Sequence, residues 1–416
     1  MEITNSLDLN VRHLSLDALR GFAVMGILAM NIAAFDMPFM AYLSPAVHGG
    51  DTGINLASWF ASYIIFDGKM RGLFSLLFGA SMMLIAERAE AKGESAVKVH
   101  YARMFWLAIF GLAHFFFIWF GDILFLYASV GCLAFLFRKW KPKRLIKWAF
   151  VFFTVGFLLF TAGTGGMIYK QYEAAQPNAT ATQIKDYEKI VKNDDFTSVG
   201  VNEEIALYRS SYAKIVSHKL RKEWSEPFAG VLQSIFETLP LMMIGMALLK
   251  NGFLSGQWDK ERYQSWALYG IIGGAMFGGI AAYGQYASGF NPVIVINTQF
   301  AWMAFPRLLM TIGYAAGLIL LIQRFAGSGF MERVVATGQA AFTNYLGTSI
   351  IMTTIFYGYG FGLYGSVDRA QLWLFVFGAW AVMLLWSKPW LTRFRYGPLE
   401  WLWRSLSRMK LQPFVR

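Results

Sequence analysis

Long apolar runs separated by short polar stretches set the pattern of this chain. About twenty apolar residues in a helix cross a bilayer. Runs of that kind fall at roughly 20–40, 56–86, 104–120, 122–138, 145–168, 228–250, 263–284, 298–323, 335–360 and 370–390. The pattern predicts an all-α polytopic membrane protein of about ten transmembrane helices. Only Gly121 and Asp122 separate the third and fourth runs, which predicts a tight helical hairpin. The second run is longer than a bilayer needs and is interrupted by Asp67-Gly68-Lys69-Met70-Arg71.

One polar stretch is long enough to fold by itself. Residues 169–227 are mixed in charge and carry helix-like segments at Thr182–Lys192 and Glu203–Lys222, which predicts a small helical insert on the outer side, capping the mouth of the bundle. The chain thus divides into an N-terminal half of five helices (1–168), the insert (169–227), a C-terminal half of five helices (228–390) and a tail (391–416). In the tail, Gly397–Arg416 has the pattern of an interfacial amphipathic helix, with Trp401 and Trp403 for the headgroup zone and Arg404, Arg408 and Lys410 for anionic lipid.

Charge fixes the orientation. Lys and Arg gather in the short loops on cytoplasmic faces. Here Arg12, Arg20, Arg88, Lys92, Lys98, Arg103, the run Arg138–Lys147, Lys250, Lys260, Arg262, Arg324, Arg333 and the tail share one side, and the short loops opposite hold only Arg369. Both termini are expected in the cytoplasm. The first span begins at Gly21 after a polar stretch and has no small-residue cleavage site after it, so it is expected to anchor the chain and not to be removed.

Composition narrows the class further. The 416 residues are 56% hydrophobic and 15% charged, against about 25% charged in soluble proteins. The net charge of +12 lies in topology-setting loops, so nucleic acid is not an expected partner; membrane lipids are. The single cysteine, Cys132, excludes an intrachain disulfide and a thiolate cluster, and no metal is expected.

Candidate chemistry comes from polar residues at bilayer depth. At about 1.5 Å per residue, a position ten residues into a span lies near mid-membrane. Asn31, Asp67, His114, Glu237, Arg307 and Asn344 meet that rule, with Lys69 and Arg71 just behind Asp67. Ionisable groups in hydrocarbon are costly and mark function, so these side chains are expected to face one internal cavity. The competing expectation is pairing that only holds the bundle, Asp67 with Lys69 or Arg307 and Glu237 with Arg71. Asp122, at the hairpin corner, either caps the fourth helix or receives a substrate group or orients the imidazole. His48, in the outer loop, is a second candidate base at the same mouth. The inner run Arg138–Lys147 could hold a phosphorylated donor or simply set topology.

The residues Arg12-His-Leu-Ser-Leu-Asp17-Ala-Leu-Arg20-Gly21 through Asn31, Leu76-Leu-Phe-Gly-Ala80, His114 with Trp119-Phe-Gly-Asp122, Thr343-Asn344-Tyr345 and Gly397-Pro398-Leu399-Glu400-Trp401-Leu402-Trp403-Arg404 together resemble the YeiB family of bacterial inner-membrane proteins. The resemblance spans nearly the whole chain and implies a multi-pass protein of the bacterial inner membrane, in a family associated loosely with transport. The first motif is also similar to that of transmembrane acyltransferases of the heparan-alpha-glucosaminide acetyltransferase type. That similarity implies a role for Asn31 and for a histidine shortly after it, which His48 matches only with altered spacing, while the YeiB pattern puts its histidine at 114.

Two functions are expected from these readings. The first is an acyltransferase that moves an acyl group from a cytoplasmic acyl-CoA or acetyl-CoA donor to an outer-side hydroxyl or amine of a small molecule, lipid or sugar. In it His114 acts as base or acyl carrier, Asp122 or Asp67 orients it, Asn31 and Arg307 stabilise the oxyanion, and Lys69, Arg71, Glu237, Asn344 and His48 bind substrate. The second is a transporter of a small anionic or zwitterionic solute that uses the same midplane charges. The sequence leaves homo-oligomerisation open.

Overall fold

The computed structural model describes residues 2–191 and 197–416. Its N-terminal part contains α1 (Glu2–Asp36), α2 (Phe39–Leu43), α3 (Gly53–Ala61), α4 (Lys69–Ala91), α5 (Ala96–Phe117), α6 (Leu124–Ala134) and α7 (Pro142–Ala174). The insert carries α8 (Ala181–Val191), α9 (Ser198–Tyr208) and α10 (Tyr212–Lys222). The remainder contains α11 (Glu226–Lys250), α12 (Lys260–Ala287), α13 (Pro292–Asn297), α14 (Ala304–Arg324), α15 (Gly329–Gln339), α16 (Ala341–Phe356), α17 (Leu372–Arg393) and α18 (Pro398–Ser407). Lys192, expected at the end of the first insert helix, and the side chain of Arg12 lie outside the described residues.

Among the described residues, seven helical stretches are long and apolar enough to cross a membrane: Leu14–Asp36, Gly53–Ala91, Pro142–Ala174, Glu226–Lys250, Lys260–Ala287, Ala304–Arg324 and Leu372–Arg393. The chain is an all-α multi-pass membrane protein. The other three expected spans are also helical but fall short of that standard. The stretch Leu124–Phe137 is apolar and short, α5 begins early enough to include Lys98, His100 and Arg103, and α16 is cut from α15 at Ala340.

The hairpin between α5 and α6 is looser than expected. Six residues, 118–123, join the helices, because Ile118 and Trp119 both donate to the His114 carbonyl and end α5 before the glycine. The stretch Glu203–Lys222 is likewise two helices, parted at residues 209–211.

Helix α1 runs through the middle, with α4, α14, α15, α16 and α17 around it. In its most apolar window 78% of residues are buried inside the protein, against 22% in α7 and in α12. Apolar side chains on α7 and α12 thus remain for lipid, where hydrocarbon accepts them without cost. Close packing depends on small residues. A Cβ on Gly245 of α11 would stand 1.9 Å from the Leu76 carbonyl oxygen, and one on Gly79 of α4 would stand 2.1 Å from that of Met242. The helices α4 and α11 therefore touch backbone to backbone. The glycine run of α12 acts similarly, with Gly270 against Gly313 of α14, although Gly279 meets nothing.

The tail folds differently from the expected interfacial helix. Only Pro398–Ser407 is helical, and the last residues turn back so that Arg395 N–H donates to the Phe414 carbonyl. Trp401 packs on Phe414, and Trp403 donates from Nε1 to the Arg103 carbonyl. Glu400 accepts from the backbone N–H of Phe342 and Thr343 and from the Thr343 hydroxyl. It satisfies orphan donors at the start of α16, so the tail motif serves to fix that helix.

Candidate functional site

Two irregular turns carry charge into the bundle. After α3 the chain enters a π turn, Ser62–Phe66, and Asp67 closes it; Gly68 then takes φ +72° and starts α4. A side chain at Gly68 would be strained by that backbone and would also stand 2.5 Å from Arg307 Cδ. The second π turn, Thr298–Trp302, joins α13 to the segment before α14 and presents Gln299. Such turns widen a helix locally and recur at functional positions.

Asp67 and Arg307 form a buried pair. Arg307 Nη2 donates to Asp67 Oδ2 at 2.5 Å, with side-chain exposures of 9% and 10%. Tyr42 O–H donates to Asp67 Oδ1 through a short contact. The Arg307 guanidinium also donates to the Gln299 carbonyl at 2.6 Å and to its Oε1 at 2.5 Å. One helix turn along α4, Arg71 Nη2 donates to Glu237 Oε2 at 2.5 Å, and each side chain there is 29% exposed.

These groups line a cavity of about 960 Å³. Its deep end holds Asn31, Tyr42, Asp67, Arg71, Glu237, Gln299 and Arg307, and Asp122 stands in its wall. Its sides are aromatic, with Phe153, Phe157 and Phe160 of α7 facing Trp119, Phe120 and Phe125. Its mouth lies under the insert, where Glu203, Glu204, Glu223 and Glu226 surround it. Neither Arg20, Arg88 nor the run Arg138–Lys147 reaches it. The insert is fastened over that mouth: Arg209 donates to the Tyr364 carbonyl and to Ser366, Tyr212 to the Phe117 carbonyl, and Lys219 to the Phe115 carbonyl.

Asn31 is a buried polar residue of the cavity wall with nothing to bind. Only 9% exposed, it lines the cavity, and its amide has no hydrogen-bond partner among the described residues. Asp122 is held on both oxygens: Oδ1 lies 2.9 Å from His114 Nδ1, and Oδ2 accepts from the Phe125 backbone N–H at 2.8 Å. The carboxylate therefore caps α6 and orients the imidazole together. The His114 ring is 0% and the Asp122 carboxylate 2% exposed, so the pair lies just behind the wall that residue 122 helps to form. His114 is 1% exposed, its Nε2 has no partner, and its ring leans on Tyr345 and Trp119.

Three expected members lie elsewhere. Lys69 points back into its own turn and donates to the Tyr63 carbonyl at 2.6 Å, so Arg307 takes Asp67 instead. Asn344 is enclosed: Nδ2 donates to the Thr337 carbonyl and to Ser387, and Oδ1 accepts from Trp386 Nε1. His48 stands against the Gly365 carbonyl at 3.3 Å, and burial, then the neighbouring Arg369 and Arg209, hold its pKa below the ordinary histidine value. It is neutral at neutral pH and serves as a strap between loops. Among the deep cavity members, sequence missed Tyr42 and Gln299; at the mouth it missed His218 and the four glutamates. Gln299 was open to the depth rule, but the eighth span actually begins its helical path at Pro292, which sets that residue deeper than a start at 298 implies.

The Uncharacterized protein YxaH of Bacillus subtilis (strain 168) is 31% identical to this chain over 419 residues, covering 96% of this chain and 95% of its own. The chain belongs to the YeiB-like family. The Uncharacterized protein YeiB of Escherichia coli (strain K12), another YeiB-like protein, is 29% identical over 426 residues, 97% of this chain and 98% of its own. An uncharacterized 39.9 kDa protein of Bacillus acidopullulyticus is 24% identical over 403 residues, covering 96% of this chain and 95% of its own. The model of a protein family of unknown function (DUF418) matches residues 248–410, the part of the YeiB-like chain that runs from the end of α11 to the tail. No solved structure matches.

Proposed function

We propose that this YeiB-like protein is a membrane acyltransferase of the bacterial inner membrane, built on ten spans with both ends in the cytoplasm. Its acceptor, a hydroxyl or amine, enters under the insert. The observation that carries the reading is Asn31, a buried amide without a partner, in the wall of a cavity that Arg71 also lines. Preorganised donors of that kind matter most where charge develops on a carbonyl oxygen away from water.

Asn31 and Arg71 are the donors to the developing oxyanion. Asp122 is the base: its carboxylate, 2% exposed just behind the wall and held by His114 Nδ1 at 2.9 Å, takes the acceptor proton and returns it to the leaving thiolate. The acceptor oxygen or nitrogen bonds to the acyl carbon, and collapse of the oxyanion releases the thiol of a thioester donor. The four glutamates at the mouth do not suit the phosphates of acyl-CoA, whereas the basic loops at the opposite end do. The donor acyl group therefore enters through the deep end of the cavity when the Asp67–Arg307 and Arg71–Glu237 pairs part. Acyl transfer from labelled acyl-CoA in proteoliposomes tests this reading, and unchanged turnover by Asp122→Asn would remove the assigned base.

The one-sided cavity favours a second reading. A chamber open under the insert and closed at mid-bundle by two ion pairs has the form of one state of a transporter for a small zwitterionic solute. Proton-driven uptake that Asp67→Asn abolishes, without any donor cleavage, would select it over acyl transfer.

A further inference from the structure

Five arginines hold their guanidinium groups over aromatic rings. The distances from guanidinium carbon to ring centroid are 3.9 Å for Arg103 over Trp403, 3.9 Å for Arg138 over Phe135, 4.0 Å for Arg144 over Trp140, 4.0 Å for Arg262 over Trp258 and 4.4 Å for Arg404 over Tyr396. All five lie at the end of the bundle opposite the insert. Arg103 is near the start of α5 and Arg138 just past α6, Arg144 and Arg262 are in the first turns of α7 and α12, and α18 packs on α5. Lys250 joins that level from α11 by donating to the carbonyls of Arg138 and Trp140.

None of the five has a carboxylate at salt-bridge distance among the described residues. Arg103, Arg144, Arg262 and Arg404 also donate to no protein carbonyl among the described residues, whereas Arg138 Nη1 donates to the Phe135 carbonyl at 3.1 Å, as Arg209 and Arg369 at the insert end donate to carbonyls. Stacking fixes a guanidinium plane while leaving its N–H edge free, and that edge fits two phosphate oxygens at once. Around Arg103 the positive charge is concentrated, with Arg20, Arg404 and Arg408 near enough to repel it.

The geometry points to a ring of binding sites for the phosphate headgroups of anionic phospholipids at the end opposite the insert. The exposed apolar residues beside the stacks favour a lipid over a soluble phosphate. Phe105 follows Arg103, Leu136 precedes Arg138, and Trp148 and Trp266 lie one turn beyond Arg144 and Arg262, all at least 40% exposed. Acyl chains cover such surface while the headgroup meets the guanidinium.

The test uses the full chain in nanodiscs of phosphatidylcholine mixed with phosphatidylglycerol, with retained lipid counted by native mass spectrometry. Phosphatidylglycerol should be enriched among retained lipids, and the enrichment should fall about fivefold per arginine removed in R103Q/R404Q. In case the tail needs Arg103 or Arg404 to fold, R144Q, on an independent helix end, should show the same fall for one site. Inorganic phosphate should not compete. Retention without headgroup preference, retention unchanged in both variants, or release of the lipid by inorganic phosphate would each overturn the proposal.

Discussion

Asn31 and Asn344 are the same residue at the same expected depth, and the protein uses them in opposite ways. Asn344 is enclosed by Thr337, Ser387 and Trp386 and ties α15, α16 and α17 together. Asn31 has no partner and lines the cavity. A buried polar group is normally satisfied, so an unsatisfied one at the wall of a chamber is an open position for something else. Depth in the membrane is therefore a poor guide to role, and hydrogen-bond satisfaction is a better one. The charged pairs divide similarly, with Asp67–Arg307 almost closed off and Arg71–Glu237 partly open.

The largest effect that tests this division is at the closed pair. Arg307→Ala leaves Asp67 buried without its cation and should cost about 3–5 kcal/mol of stability, measured by denaturant unfolding in detergent. Replacing both, as Asp67→Leu with Arg307→Leu, should restore most of the loss. If the double variant is as unstable as the single, the pair is not what the site is built around.

Next come the two asparagines, which should separate stability from activity. Asn31→Leu should lower acyl transfer about 10²–10³-fold while leaving the unfolding midpoint near that of the parent. Asn344→Leu should do the reverse, costing about 1–3 kcal/mol through the unpaired indole and carbonyl it leaves. Equal effects of the two on both measurements would erase the distinction. At the half-open pair, Glu237→Gln should cost only about 0.2–1 kcal/mol, and a loss comparable to that of Arg307→Ala would place Glu237 deeper than its exposure indicates.

The smallest effect concerns the clamp of the insert. Burial pushes the Lys219 ammonium down to about 8, against about 10.4 for the free side chain. Folding thus favours the neutral amine. Its contribution is complete above pH of about 10.4 and is lost as pH falls through about 8. The thermal midpoint of the parent should therefore drop, relative to Lys219→Met, between those values. Superimposable pH profiles would show that Lys219 is not buried against Phe115.

How much was legible follows from the kind of signal each feature leaves. The broken second span could be read directly, because Asp67-Gly68 inside an apolar run has few structural meanings. Both pairings that form were among those expected, since one-dimensional depth limits which charges can meet. Lys69 was misplaced because its flexible side chain can reach a backbone carbonyl in its own turn, which depth does not reveal. His114 was expected at mid-span but stands in the last turn of α5, because that helix starts at Ala96 and ends at Phe117, and its ring packs behind the cavity wall with Asp122. Tyr42 left no signal, because a tyrosine near a span end is ordinary at a membrane interface.

By itself the sequence determined that this chain is a membrane bundle and which runs form its helices, because hydrophobic length is a local property. Only the tertiary structure decided which polar residues share a chamber, that Asn31 stands open while Asn344 is closed, and that the tail holds α16 in place. Those facts depend on the rotation of each helix about its axis and on backbone contacts between helices distant in the chain, such as α4 against α11, and neither quantity is written in any single segment.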